Sequence, residues 1–334
     1  MGITSFDAKL GLMSNVYIVE VTPVIRSPFS RKLTFFSLDN NLRPGQIVFC
    51  EIRTKKVAAV VNSIRPLDSR SNVKRLPFEI RNLGRQKSRM FLGSDFAQER
   101  AVLARKLAVT ESELQSAILP SNLDRIQKEL TEEIDLFREK HKARRAEILN
   151  IEGSFHNRAK YYIDSVWAKL GSRSLLVVVP NSLHGGILAR ELLRLGVPKV
   201  VGLDDAMSAK SLGLKLNDLW TVGTRQVVVA TPTYAIFGTN NIGALIVEKE
   251  SGNYRQIRAP HIDSREYFRT LAVLSGANLF FGDDFLSVEA TGGDSKAEVL
   301  GSQSSGPRNE LVDLKSLGSK TGAGMNILSP EFEK

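Results

Sequence analysis

Phosphate chemistry on a parallel sheet has exacting needs. A glycine loop after the first strand lets backbone N–H groups and a helix N-terminus hold the phosphates, while a Lys-Ser/Thr pair meets phosphate and Mg2+. The 334-residue chain carries one segment in that position, Glu152-Gly153-Ser154-Phe155-His156-Asn157-Arg158-Ala159. It holds a single glycine, two bulky side chains where backbone must approach phosphate, and an alanine with no hydroxyl for a metal. Arg158 supplies charge without the geometry of a lysine. A nucleotide hydrolase also wants an Asp for Mg2+ at a later strand end, with an adjacent Glu to orient water. There the chain reads Glu248-Lys249-Glu250-Ser251. The plainer reading of those residues is surface charge after a buried strand. The pairs Asp204-Asp205 and Asp283-Asp284 stand at strand ends, where they could hold a cation or, more simply, cap a following helix. No G-x-S-x-G occurs, and Ser182-Leu183-His184 lacks a third member, so no catalytic residue is assigned.

Binding is better signposted than catalysis. The net charge is +10, and its placement is uneven. Residues 1–106 hold 19 Lys and Arg against 8 Asp and Glu, whereas the rest hold 27 against 28. A module of net +11 joined to a neutral domain suggests a polyanion as partner. One cysteine, Cys50, excludes an internal disulfide framework and a multi-cysteine zinc site, and the four histidines show no metal-ligand spacing. No metal is expected. No apolar run approaches the ~20 residues that span a bilayer, and the first 14 residues have no secretory pattern. A cytoplasmic protein with no membrane partner is expected.

The elements that must position these residues follow from periodicity. Val16–Val24 alternates and is β-branched, Leu33–Leu38 is a second strand, and Gln46–Arg53 with Lys56–Ile64 forms a hairpin around Thr54-Lys55. Short strands with Pro and Gly turns suggest a small β-barrel-like domain in residues 1–75. Its hairpin gathers Arg53, Lys55 and Lys56 at one tip, and Phe35 or Phe36 offers a stacking surface if it is not barrel core. Residues 76–146 read as a helical, winged-helix-like segment. A basic arm leads to a helix capped by Asp95, then to a second one with Thr110 and Glu113 at capping-box spacing. A long charged helix is expected from Leu123 to Ile148, with Ile126, Leu130, Ile134 and Phe137 on one face. From residue 147 to 290, apolar runs at Ile148–Ile151, Leu175–Val179, Val200–Leu203, Val227–Ala230, Leu245–Val247 and Leu279–Phe281 alternate with amphipathic stretches. That pattern implies an α/β domain whose parallel sheet is covered on both faces, with its site at the strand C-terminal ends. Residues 291–334 are rich in Gly and Ser and read as a flexible tail with one short strand, Leu311–Leu314.

In this order the segments resemble the N-terminal half of the primosomal replication-restart helicase family, primosomal protein N′. Arg43–Val48 with Val57–Val61 is similar to its barrel, Ala117–Pro120 to the end of its helical DNA-binding segment, and Leu176–Leu183 and Ala230–Phe237 to two helicase segments. In Leu245–Arg265 the residues Tyr254, Arg255, Gln256, Pro260 and Arg265 keep the family skeleton. Gly282, Ser287 and Glu289 keep part of a Gly-Ser-Ala-Thr-Pro-Ser-x-Glu motif. Val312–Leu314 and Ile327–Glu331 match the connection toward a second lobe. The resemblance implies one RecA-like lobe with degenerate ATPase motifs, in which Gly153, Arg158, Glu248, Glu250 and Arg255 are a vestigial nucleotide site. It also implies a barrel that contacts forked or single-stranded DNA through Arg26, Arg31, Lys32, Thr34, Arg53, Lys55 and Lys56. Thr34 falls near the acidic residue that reads the terminal base in the family. The family's second lobe, arginine finger and eight-cysteine zinc module lie outside the match. The expected function is a DNA-binding, replication-restart-like protein, a possible partner of other restart proteins, with no cofactor and no helicase activity of its own. Two alternatives stand beside it. One is a helicase lobe that uses ATP and Mg2+ with a second lobe on another chain, and the other is a scaffold that kept only the fold.

Overall fold

Alternation of β-branched residues builds the N-terminal sheet. Strands β1 (Tyr17–Pro23), β2 (Leu33–Ser37), β3 (Ile47–Ile52), β4 (Lys55–Pro66) and β5 (Arg81–Asn82) run in the order β3-β4-β1-β2-β5. The computed structural model describes residues 16–25, 32–52, 54–67, 81–84, 86, 88–136, 147–221, 225–252, 254, 262–287 and 297–300, with the side chains of 94, 95, 97, 98, 221 and 297–299 left aside. The four long strands pair antiparallel and β5 joins β2 in parallel. The expected barrel is therefore a curled, open sheet among the described residues, with β3 and β5 as its edges. Val19, Val21, Phe35, Val48, Cys50, Ala59, Val61 and Leu83 fill its concave core, so Phe35 is core and not a stacking surface.

A short helical region follows. Helices α1 (Ser94–Lys106), α2 (Glu111–Ile118) and α3 (Leu123–Glu129) are joined by a ribbon of β6 (Met90–Phe91) and β7 (Ile134–Asp135). The Thr110–Glu113 capping box forms in both directions, as its spacing predicts. Gly93, not Asp95, takes the N-cap position of α1. The long helix expected from Leu123 to Ile148 does not form. It stops at Glu129, and Ile134 belongs to β7. Ile126, Leu130 and Ile134 are all buried as their spacing implied, but inward-facing residues four apart do not distinguish a helix from a helix, a turn and a strand. Phe137 lies outside the described residues.

The parallel sheet forms as the apolar runs predict. It contains β8 (Ile148–Glu152), β9 (Ser174–Val178), β10 (Val200–Leu203), β11 (Val227–Ala230), β12 (Ile242–Glu248), β13 (Asn278–Asp283) and β14 (Ala297–Val299), in the order β10-β11-β9-β12-β13-β8-β14. Every pairing is parallel. Helix α4 (Phe155–Tyr161) continues through a π-turn at Tyr162–Val166 and a 3-10 turn at Trp167–Leu170. Helices α5 (Ser182–Arg194), α6 (Ala209–Thr221) and α7 (Ser264–Ser275) complete the layers. Alternate residues of one strand enter opposite cores: Leu175 and Val177 pack with Leu188 and Leu192 of α5, whereas Leu176 and Val178 face Leu216 of α6 and Phe268 of α7. The second core runs without a break to Leu114, Met90, Val60 and Ile47, so the N-terminal sheet and the parallel sheet share apolar contacts. Strand β14 lies in the segment read as a flexible tail, ahead of the one short strand expected there. Leu300 N–H donates to the Glu152 carbonyl at 2.7 Å, and the Leu300 side chain packs on the core. Leu311–Leu314 lies outside the described residues. No helix among the described residues is long and apolar enough to cross a membrane.

Candidate functional site

Strands β8, β13 and β12 are neighbours, so their C-terminal ends bring together Gly153–Ala159, Asp283–Ser287 and Glu248–Ser251. Ser154 caps α4 by accepting the Asn157 N–H at 3.5 Å. That helix carries Arg158 inward, where 1% of the residue remains exposed. The guanidinium forks onto Glu248, with Nη2 donating to Oε1 at 2.6 Å and Nε to Oε2 at 3.3 Å. Its Nη1 donates to Asp284 Oδ1 at 2.7 Å and to the Gly153 carbonyl. Tyr162, one turn further on the same face, donates its hydroxyl proton to Glu248 Oε2.

The expectation of solvated charges after β12 is overturned, because Glu248 is 3% exposed and Glu250 1%. Lys249 between them adopts a left-handed φ of 56°. This turn lets both flanking carboxylates point inward, while Lys249 stays half-buried. Glu250 accepts from the Ser287 hydroxyl at 2.8 Å and its N–H at 3.0 Å, and pairs with Arg265. Arg265 also pairs with Asp263 at 2.6 Å. Asp283 accepts the Ser251 N–H at 2.7 Å and the Asp284 N–H at 2.7 Å, binding the loop after β12 to the end of β13 instead of capping a helix. The Tyr254 hydroxyl lies 2.6 Å from the Glu248 carbonyl and 3.0 Å from that of Val178. Arg255 lies outside the described residues.

The electrostatics follow from this packing. Burial pulls the Arg158 guanidinium down, but the hydrogen bonds and charge of Glu248 outweigh it and hold the group firmly protonated. Arg265 is held charged chiefly by its bond to Asp263. Burial pushes the Tyr162 hydroxyl far up, and the Glu248 charge adds to that. Two guanidinium groups thus pair with the carboxylates of Glu248, Asp284, Glu250 and Asp263, and Asp283 adds a fifth carboxylate held by backbone N–H groups. Mg-ATP does not fit this donor set. The one cation in the phosphate-loop position is committed to a carboxylate, and that same arginine holds the Gly153 carbonyl. The surrounding charge is negative, where phosphates need donors. What the arrangement does is clamp three loops together.

The basic residues are distributed differently. Lys55 and Lys56 are exposed, but as consecutive strand residues they emerge on opposite faces of β4. Ile52 pairs with Lys55, whereas β1 meets β4 only from Ala59 onward, so the hairpin projects beyond its neighbour. Lys32 is exposed at the same end of the sheet and lies 3.5 Å from Glu111. Thr34 is half-buried opposite Glu20. Arg26, Arg31 and Arg53 lie outside the described residues. Part of the basic excess is used internally: Arg100 is 2% exposed, pairs with Glu111 at 2.7 Å and donates to Asn62 at 2.6 Å. Sequence reasoning found Arg158 and Glu248 but missed Tyr162 and Asp263. Only the four-residue step from Arg158 to Tyr162 could have signalled a shared face. No protein-family model matches the chain, and no curated protein matches it.

Proposed function

We propose that the chain is a DNA-binding, replication-restart-like protein whose RecA-like lobe does not turn over ATP. The observation that carries the DNA part is the confinement of the whole positive excess to residues 1–106, with Lys55 and Lys56 exposed on a hairpin that projects from the sheet. Phosphate neutralisation by such a surface is strong and indifferent to sequence. The clamp of Arg158 by Glu248 supports the second part, since the residues that would meet a nucleotide are already satisfied by each other. The lobe then acts as a rigid platform on which other restart proteins assemble, in the cytoplasm. The test is equilibrium binding of the full chain to single-stranded and forked DNA over a range of salt. Affinity that falls steeply, by roughly 0.7 to 0.9 log units per contact for each log unit of salt, is the expected result. Binding that ignores salt, or no binding, would refute the proposal.

A further inference from the structure

A groove of about 500 Å3 opens between the N-terminal sheet and α3. Phe49, Lys56, Gln86, Arg89, Asp124 and Lys128 line it. Alternation along β3 and β4 sends Phe49 and Lys56 to one face, the face that carries Ile47 and Val60 into the main core. Lys56 Nζ lies 5.1 Å from the centroid of the half-buried Phe49 ring. Gln86 holds the backbone under that ring. Its side-chain carbonyl accepts the Phe49 N–H at 3.0 Å, and its amide donates to the carbonyls of Phe49 at 3.1 Å and Leu83 at 2.7 Å. The other wall is α3, on which Asp124 and Lys128 stand one turn apart. Lys56, Arg89 and Lys128 are exposed at the rim, and among the described residues no ion pair holds any of them.

Three cations and one carboxylate around a fixed aromatic ring suit a ligand with both an anionic backbone and a flat apolar face. The volume is that of a pocket for one small unit, so a stacked duplex would not enter. We propose that this groove seats a nucleotide of single-stranded DNA, with phosphates on Lys56, Arg89 and Lys128 and the base against Phe49. The proposal rests on the DNA-binding function above and gives it a site. That site includes Lys128, which lies outside the basic first 106 residues.

The test is fluorescence anisotropy of labelled oligo-dT with the full chain. The variants are Arg89→Ala with Lys128→Ala, Phe49→Leu, and Arg81→Ala on β5 at the opposite edge of the sheet. The double variant should weaken binding about tenfold or more and reduce the salt slope by about 1 to 2. Phe49→Leu should weaken it about fivefold or more with the slope unchanged, and Arg81→Ala should stay within about twofold. Wild-type affinity in the double variant, or an equal loss with Arg81→Ala, would overturn the groove and leave DNA binding intact. Failure of the wild-type chain to bind would overturn both. Arg89 and Lys128 are exposed, so their removal does not threaten folding and the result stands even if Phe49→Leu fails to fold.

Discussion

Arg158 and Glu248 are each at most 3% exposed and fit as a fork on a carboxylate. Breaking such a buried pair from one side strands the other charge. Arg158→Ala or Glu248→Ala should therefore cost about 3–5 kcal/mol, while replacement of both by methionine should cost less than either single change. Denaturant titration of the three variants checks the order. Cys50 gives a pH prediction. Burial pushes its thiol from 9.0 up to about 11. The folded state thus holds this proton more tightly than the unfolded state, and its contribution to stability falls as pH rises from about 9 to about 11. A thiol reagent at pH 8 should label Cys50 only as fast as the protein opens, and rapid labelling of folded protein would contradict the burial. At this scale the sequence exposed residue types but not their partners. Arg158 stood out because a phosphate loop should not contain it. Glu248 and Glu250 read as surface because nothing local signals that a left-handed Lys249 turns both inward.

Elements were legible where one periodicity had a single solution. The fully apolar runs became β9, β11 and β12, whose residues are buried throughout, because a strand covered on both faces has no polar alternative. The stretch after Leu123 misled because burial every fourth residue is also satisfied by a short helix followed by a strand. Strand β14 was hidden because three residues paired to β8 at a sheet edge are too short to carry a periodic signal. Contacts between elements decide Gly282 as well. A Cβ there would collide with the Tyr162 hydroxyl. Gly282→Ala should destabilise the protein by about 1–3 kcal/mol as β13 and the π-turn move apart, and a melting temperature equal to wild type would show that the close approach is not needed.

For the whole molecule, the charge asymmetry was fully visible in the sequence. What could not be seen is that the N-terminal sheet, the short helices and the parallel sheet share one apolar core, since packing between segments leaves no local pattern. That continuity makes the parallel sheet a fixed support for the N-terminal sheet. With its phosphate-loop position held by an internal ion pair, purified chain should release phosphate from ATP no faster than background, with or without fork DNA. DNA-stimulated turnover that is lost in a Glu248→Gln variant shown to remain folded would favour a helicase lobe completed by another chain. The most direct test of DNA binding without ATP chemistry is a titration of labelled fork DNA with the full chain, with and without Mg-ATP at matched free Mg2+ and ionic strength, read by anisotropy. Saturable binding with superimposable curves is the predicted result, and either no binding or curves that separate when Mg-ATP is added would contradict the account.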